Sequence, residues 1–122
     1  MSIATVLQVV LSIGLLNVWL LRASVPTPYR GGGARSLKEE FRAYGLSDWF
    51  FFLVGALKVG SAVLLLVGLW VSELVLPAAG LVVLMMLGAL AMHVKVGDPA
   101  KKSLPALLML AMSATLFGLQ LA

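Results

Sequence analysis

Four apolar runs of bilayer length, at 3–21, 49–71, 74–92 and 104–122, alternate with polar stretches along a chain of 122 residues. A hydrocarbon core of about 30 Å takes roughly 20 helical residues at 1.5 Å each, so each run predicts one membrane-crossing helix. The second is the most continuous. Phe50-Phe51-Phe52-Leu53 and Val63-Leu64-Leu65-Leu66-Val67 leave it no polar face, and Trp49 and Trp70 bracket it, as amphipathic rings do at the headgroup level. One ionisable residue, Lys58, lies near its middle. A lone ammonium at that depth costs at least about 2.5 kcal/mol. Lys58 must therefore face protein or water, which requires companion helices. At 100° per residue it shares a face with Gly55, Ser61 and Ala62, while Ala56 and Gly60 form a small-xxx-small pair alongside. This places Lys58 in a packed seam.

The polar positions divide the rest. Gln8 and Ser12 lie one turn apart on one face of the first run, predicting hydrogen bonds to neighbouring helices, and Asn17 lies on the opposite face. In the loop 22–48, Pro26, Pro28 and Gly31-Gly32-Gly33 exclude a continuing helix. A short amphipathic helix follows: Ser36 and Glu39 make a capping box, Leu37, Phe41 and Tyr44 recur at helical spacing, and Gly45 suits its end. Its outer face carries Lys38, Glu39, Glu40 and Arg42. The expectation is an interfacial helix lying on the membrane; the alternative is a lid that folds Glu39 or Glu40 towards Lys58. Ser72-Glu73 makes a short turn, and Pro77 and Pro105 fall in first helical turns, where a missing N–H costs little. Met85, Met86, Gly88, Ala89 and Met92 read as ordinary helix packing. Ser113 and Gln120 share a face of the last run. The first run lacks a basic leader and a small-residue cleavage site, so it reads as a span rather than a signal peptide.

Composition agrees with the pattern. The chain is 61% hydrophobic and 11% charged, with mean hydropathy +1.07, against about 25% charged in soluble domains. At this length one domain, 1–122, is expected. The absence of cysteine excludes disulfides and thiolate chemistry. A net charge of +4 would suggest nucleic acid in a soluble protein, but its distribution reads as topology. Five basic residues (Arg22, Arg30, Arg35, Lys38, Arg42) fall in the loop 22–48 and three (Lys95, Lys101, Lys102) in the loop 93–103, with none on the other side. The positive-inside rule then expects both loops in the cytoplasm and both termini outside. The lipid bilayer is the first partner, and nucleic acid is not expected.

The chemistry on offer centres on Lys58, about nine residues or roughly 14 Å from the loop end of its helix. A polar pocket opening towards the loops is expected, floored by Lys58 and rimmed by Asn17, His93, Tyr44 and the carboxylates of Glu39 and Glu40. No acid lies inside any run. Lys58 is therefore neutral through desolvation, pairs with a loop acid, accepts an anionic or carbonyl-bearing ligand, or bonds helix-end carbonyls or water and only fixes packing. One histidine and no carboxylate cluster inside the runs give metal catalysis no support, and haem held between two histidines is impossible. No nucleophilic triad or glycine-rich phosphate loop occurs.

Several segments carry a family likeness: Leu16-Asn17-Val18-Trp19-Leu20-Leu21-Arg22, Tyr29-Arg30-Gly31-Gly32, Glu39-Glu40-Phe41 and Tyr44-Gly45-Leu46. Others are Leu53-Val54-Gly55-Ala56-Leu57-Lys58 and 88–104, with His93, Gly97-Asp98-Pro99 and Lys101-Lys102-Ser103-Leu104. Over nearly its whole length the chain resembles the DoxX-like membrane proteins, small four-helix bundles found in bacteria, and in particular a subgroup with a lysine in the second helix. The resemblance implies an all-α, four-helix transmembrane bundle in a bacterial inner membrane, and it makes Lys58 and His93 the first positions to test. The family name comes from subunits associated with quinone-linked thiosulfate oxidation, and distant relatives look like chaperones and cargo receptors, so fold is implied more firmly than activity. The first functional expectation is a non-catalytic accessory or assembly subunit of a membrane complex, or a homo-oligomer. The second is a binder or carrier of a quinone, lipid or small organic anion at Lys58. The third is a subunit of a quinone-linked oxidoreductase. No resident cofactor is expected beyond a bound quinone or lipid.

Overall fold

The computed structural model describes residues 2–24 and 26–122, and among them every regular element is helical. Helix α1 (Ile3–Leu16) continues through a π-helical segment, Asn17–Leu21. Helix α2 (Leu37–Ala43) is short; α3 (Asp48–Val67), α4 (Val75–Lys95) and α5 (Leu104–Leu121) are long. Among the described residues, four helical stretches are long and apolar enough to cross a membrane: Ile3–Leu21, Asp48–Val67, Ser72–Lys95 and Ala100–Leu121. The bundle is all-α, as the apolar runs require.

Two boundaries shift for local reasons. The second run stays apolar to Val71, yet α3 stops at Val67. Gly68 follows, so close to Val75 at the start of α4 that an added Cβ would lie 2.6 Å from its Cγ2. The turn therefore closes early and leaves Trp70 exposed. At the other end, α4 runs three residues beyond Met92 and takes His93 into its last turn. Gly97, at φ +69°, then lets the chain reverse.

Leu11 and Leu15 of α1, Ala62 and Leu65 of α3, Val82 of α4 and Leu116 of α5 meet in the core. In lipid the hydrophobic effect does not hold helices together, so close packing and hydrogen bonds must. Gln8 Nε2 donates to the Leu65 carbonyl at 3.0 Å. Ser12 Oγ, buried, lies 2.7 Å from the Gln8 carbonyl and 3.0 Å from that of Ala62, sharing its proton between its own helix and α3. These are the interhelical bonds the spacing of Gln8 and Ser12 predicts. Elsewhere the hydroxyls fold back on their own helix, as Ser61 does to the Leu57 carbonyl at 2.7 Å. Outward-facing Ile13, Phe52, Leu84 and Leu108 are exposed, as side chains in acyl chains would be.

Small residues are used selectively. At Gly55 an added Cβ would lie 2.9 Å from the Trp19 indole, so only glycine allows that ring against α3. Gly60 has nothing within 4 Å of such a Cβ, and Ala56 is exposed, so this pair packs on nothing inside the chain. Gly55→Leu should therefore overpack the α1–α3 contact and cost about 1–3 kcal/mol, whereas Gly60→Leu should leave stability near that of the parent. Paired unfolding titrations in detergent would check this; equal loss in both variants would contradict the assignment of the close contact to Gly55.

Candidate ligand-binding site around Lys58

The site is built outward from Trp19. Its indole, 9% exposed, lies against α3 where Gly55 leaves room, and Phe51 stacks on it at 5.3 Å between centroids. Phe41 of α2 meets both rings edge-on, at 5.9 Å from Trp19 and 5.3 Å from Phe51. One turn beyond Gly55, the Lys58 ammonium sits over the Trp19 ring, 5.0 Å from its centroid. A cation over an indole face gains about 0.5–2 kcal/mol, more as water is excluded. Among the described residues no carboxylate lies within ion-pair distance of Lys58.

Helix α2 covers this arrangement. Ser36 Oγ accepts from the Glu39 N–H at 3.2 Å, fixing its start, and Gly45, at φ +80°, ends it. Its apolar face does not turn to lipid: Leu37, Phe41 and Tyr44 are buried against the bundle. Glu40 sits beside that face and is drawn inward. The Tyr44 hydroxyl donates to its Oε1 at 2.8 Å, and buried Arg30 lies 3.9 Å from its Oε2. Burial, reinforced by the Glu40 charge, pushes the Tyr44 phenol well above its ordinary range, so it stays a proton donor. Burial also lowers Arg30, partly offset by Glu40, and its guanidinium donates to the Arg22 carbonyl at 2.6 Å. Lys95 ties α4 to this lid through the Tyr44 carbonyl at 2.8 Å.

A second polar cluster ties the two loops together. Asp98, its side chain only 5% exposed, lies 2.8 Å from His93 Nδ1, accepts the Gly32 N–H at 3.0 Å, and is 3.9 Å from Lys102. Burial is the largest single influence on Asp98 and opposes its charge, but the Gly32 N–H, His93 and Lys102 together outweigh it and hold the carboxyl below its ordinary value. Gly31 is pressed under the Tyr44 hydroxyl, and Gly32, at φ +62°, turns its N–H towards Asp98.

Two cavities flank Lys58. A basic one of about 320 Å³ is lined by Lys58, Arg22, Arg30, Lys102 and His93, with Glu40 as its carboxylate. An apolar one of about 360 Å³ lies between α2, α3 and α4, walled by Phe50, Leu53, Met85, Gly88 and Met92 among others. The two meet along Leu37, Glu40, Lys58 and Ala89. Both volumes fall in the range of about 300–1,000 Å³ typical of small-molecule sites. Among the described residues no three His, Asp or Glu side chains converge closely enough to hold a metal ion.

Of the six residues the sequence nominates, Lys58, Glu40, Tyr44 and His93 line one or both cavities. Glu39 does not: it is exposed and faces Ser36 as part of the cap. Asn17 does not either, because it sits on the far side of α1 from the Gln8–Ser12 face; its carbonyl accepts the Arg22 N–H in the π turn. The methionine surface, expected to be plain packing, is split. Met86 is in the core and lines the basic cavity, while Met85, Gly88, Ala89 and Met92 wall the apolar one. Trp19, Arg30 and Asp98 were not nominated. Trp19 lies seven residues after Ser12, on the same helical face, and that spacing would have found it; nothing local marks Arg30 as buried.

The chain matches the model of the DoxX-like family over residues 6–115. It belongs to that family. No curated protein and no solved structure matches it. Family membership accounts for the helical bundle and leaves the contents of the cavities to be argued from their residues.

The Asp98 clamp has a definite pH signature. A carboxyl held below its unfolded value stabilises the fold above that value, about 3.9, and the contribution drains away as pH falls through the lower folded value. Protection of the Gly32 amide, measured by hydrogen exchange relative to the unstructured rate, should be flat near neutrality and fall on acidification below about pH 4. In Asp98→Asn the same amide should already be weakly protected at pH 7 and lose that acid limb.

Proposed function

We propose that this DoxX-like protein binds a small amphipathic molecule within the membrane, with the Lys58 ammonium anchoring its polar head. One observation carries the reading: Lys58 lies where a basic and an apolar cavity meet, with an aromatic face and no carboxylate at ion-pair distance as its neighbour. Ionisable groups inside a membrane usually mark ligand or ion sites. The head is anionic or carbonyl-bearing, a quinone being the carbonyl-bearing case, since an ammonium offers only donors. In this reading both basic loops face the cytoplasm of a bacterial cell and both termini face outward, because all eight loop cations lie on one side. The site then opens at the cytoplasmic end of the bundle, and α2 acts as its cover.

A second reading, an accessory or assembly subunit of a larger membrane complex or a homo-oligomer, draws on a different feature. Gly60 and Gly88 have open space where a side chain would be, so another helix can approach there as closely as small residues allow.

Mass spectrometry of the gently solubilised protein separates the two. The binding reading expects a retained small molecule in the parent that is lost from Lys58→Met, with the monomer otherwise intact. A partner chain or second copy retained by both proteins, with no small molecule in either, would favour the accessory role instead.

A further inference from the structure

We infer that the bound molecule is a single-chain anionic amphiphile, its charged head in the basic cavity and its chain in the apolar one. The inference rests on the binding reading above and specifies its ligand. The charge balance favours an anionic head. Four basic side chains, Arg22, Arg30, Lys58 and Lys102, line the basic cavity. Arg30 faces Glu40 and Lys102 faces Asp98, and among the described residues Arg22 and Lys58 have no carboxylate at ion-pair distance. Glu40 is engaged by Arg30 and Tyr44, and the nearby Asp98 by His93, Gly32 and Lys102. Lys58 thus has the charge of Glu40 nearby but no carboxylate at ion-pair distance among the described residues, in a place where an isolated cation is costly. A carboxylate or phosphate head completes it, whereas a quinone carbonyl adds no charge.

The second cavity fixes the rest of the molecule. Its walls are aromatic, aliphatic and methionine side chains, and Lys58 and Glu40 are the charged residues at its edge. At about 360 Å³ it lies near the lower end of the ligand-site range, which suits one hydrocarbon chain rather than the two of a phospholipid. Lys58 spans the junction: its methylene stem can lie along the chain while its ammonium meets the head. Methionines suit such a wall because their unbranched thioethers adjust to chains of different length.

Trp19 provides the readout, because the ammonium that contacts the head rests on its ring. With Trp49 and Trp70, both exposed, replaced by phenylalanine, Trp19 is the sole indole in the chain. Its emission would be titrated in nanodiscs of zwitterionic lipid with palmitate, hexadecyl phosphate, 1-hexadecanol and inorganic phosphate. The inference expects saturable shifts with both long-chain anions, at least about tenfold tighter than with the alcohol, since charge-assisted hydrogen bonds are roughly twice as strong as neutral ones. Lys58→Met should erase that preference. Gly88→Leu, which places a side chain in the apolar cavity, should weaken hexadecyl phosphate by about tenfold or more while leaving octyl phosphate little changed. The Gly88→Leu arm stands even if Lys58→Met does not fold. Hexadecanol binding as tightly as the anions would overturn the anionic head but leave the binding reading intact. Inorganic phosphate saturating the site as tightly as hexadecyl phosphate would assign it to a free anion and overturn the chain. Silence with all four probes, together with no retained molecule in the parent, would overturn the binding reading itself.

Discussion

The Lys58 ammonium on the face of Trp19 is the contact on which the rest of the arrangement depends. A cation halfway along an apolar helix can be tolerated through an ion pair, water or an aromatic face. No acid lies within the apolar runs 3–21, 49–71, 74–92 and 104–122, and the fold supplies the indole. For that ring to reach α3, residue 55 must be glycine, and for the ring to stay, Phe51 and Phe41 must brace it. Because Phe41 is on α2, the short helix is recruited to the bundle by the same aromatic cluster that holds the lysine. The lid and the charge it covers are thus parts of one packing problem.

Around that contact the polar groups are graded by position. Deep in the bundle, Gln8 and Ser12 donate directly to carbonyls of α3. At the loop end, Arg30, Glu40 and Tyr44 form one connected set, and His93, Asp98, Lys102 and Gly32 another. Both sets hold loops in place over the same cavity. Among the described residues, neither set includes Lys58 in its hydrogen bonds or ion pairs. The core's polar groups join the helices, the loop clusters join the loops, and Lys58 rests on Trp19 at the junction of the two cavities.

Much of this was legible in the chain. Run length and charge fraction specified the membrane helices, and the four-residue step between Gln8 and Ser12 specified their interhelical bonds. The capping box at Ser36 and the stop at Gly45 specified α2. The errors have a common cause. Asn17 was nominated for its depth along the axis, although its angular position, opposite Gln8, already turned it away. Glu39 and Glu40 differ in the same way. Glu40 is three residues after buried Leu37 and four before buried Tyr44, which puts it at the flank of the buried face, while Glu39 is committed to the cap. Depth without azimuth is half of a helical coordinate. Residues whose burial depends on chain reversal, Arg30 and Asp98 above all, carry no such periodic signal: Asp98 meets Gly32 across 66 positions of sequence.

The two cavities also explain why α2 is amphipathic in an unusual sense. An interfacial helix needs its apolar side for lipid and its charged side for water. Here the apolar side is taken by Trp19 and Phe51, and Glu40, at its flank, is held by Arg30 and Tyr44 over the place where the cavities meet. A carboxylate in that position repels any anion approaching Lys58 from the loop side. An anionic head entering the basic cavity therefore has to compete with Glu40 for Arg30, and its gain at Lys58 must exceed that cost. On the proposed binding reading, selectivity for amphiphiles over free anions would rest on this balance, because burial of a hydrocarbon chain beside Gly88 and Met92 adds free energy that a bare anion lacks.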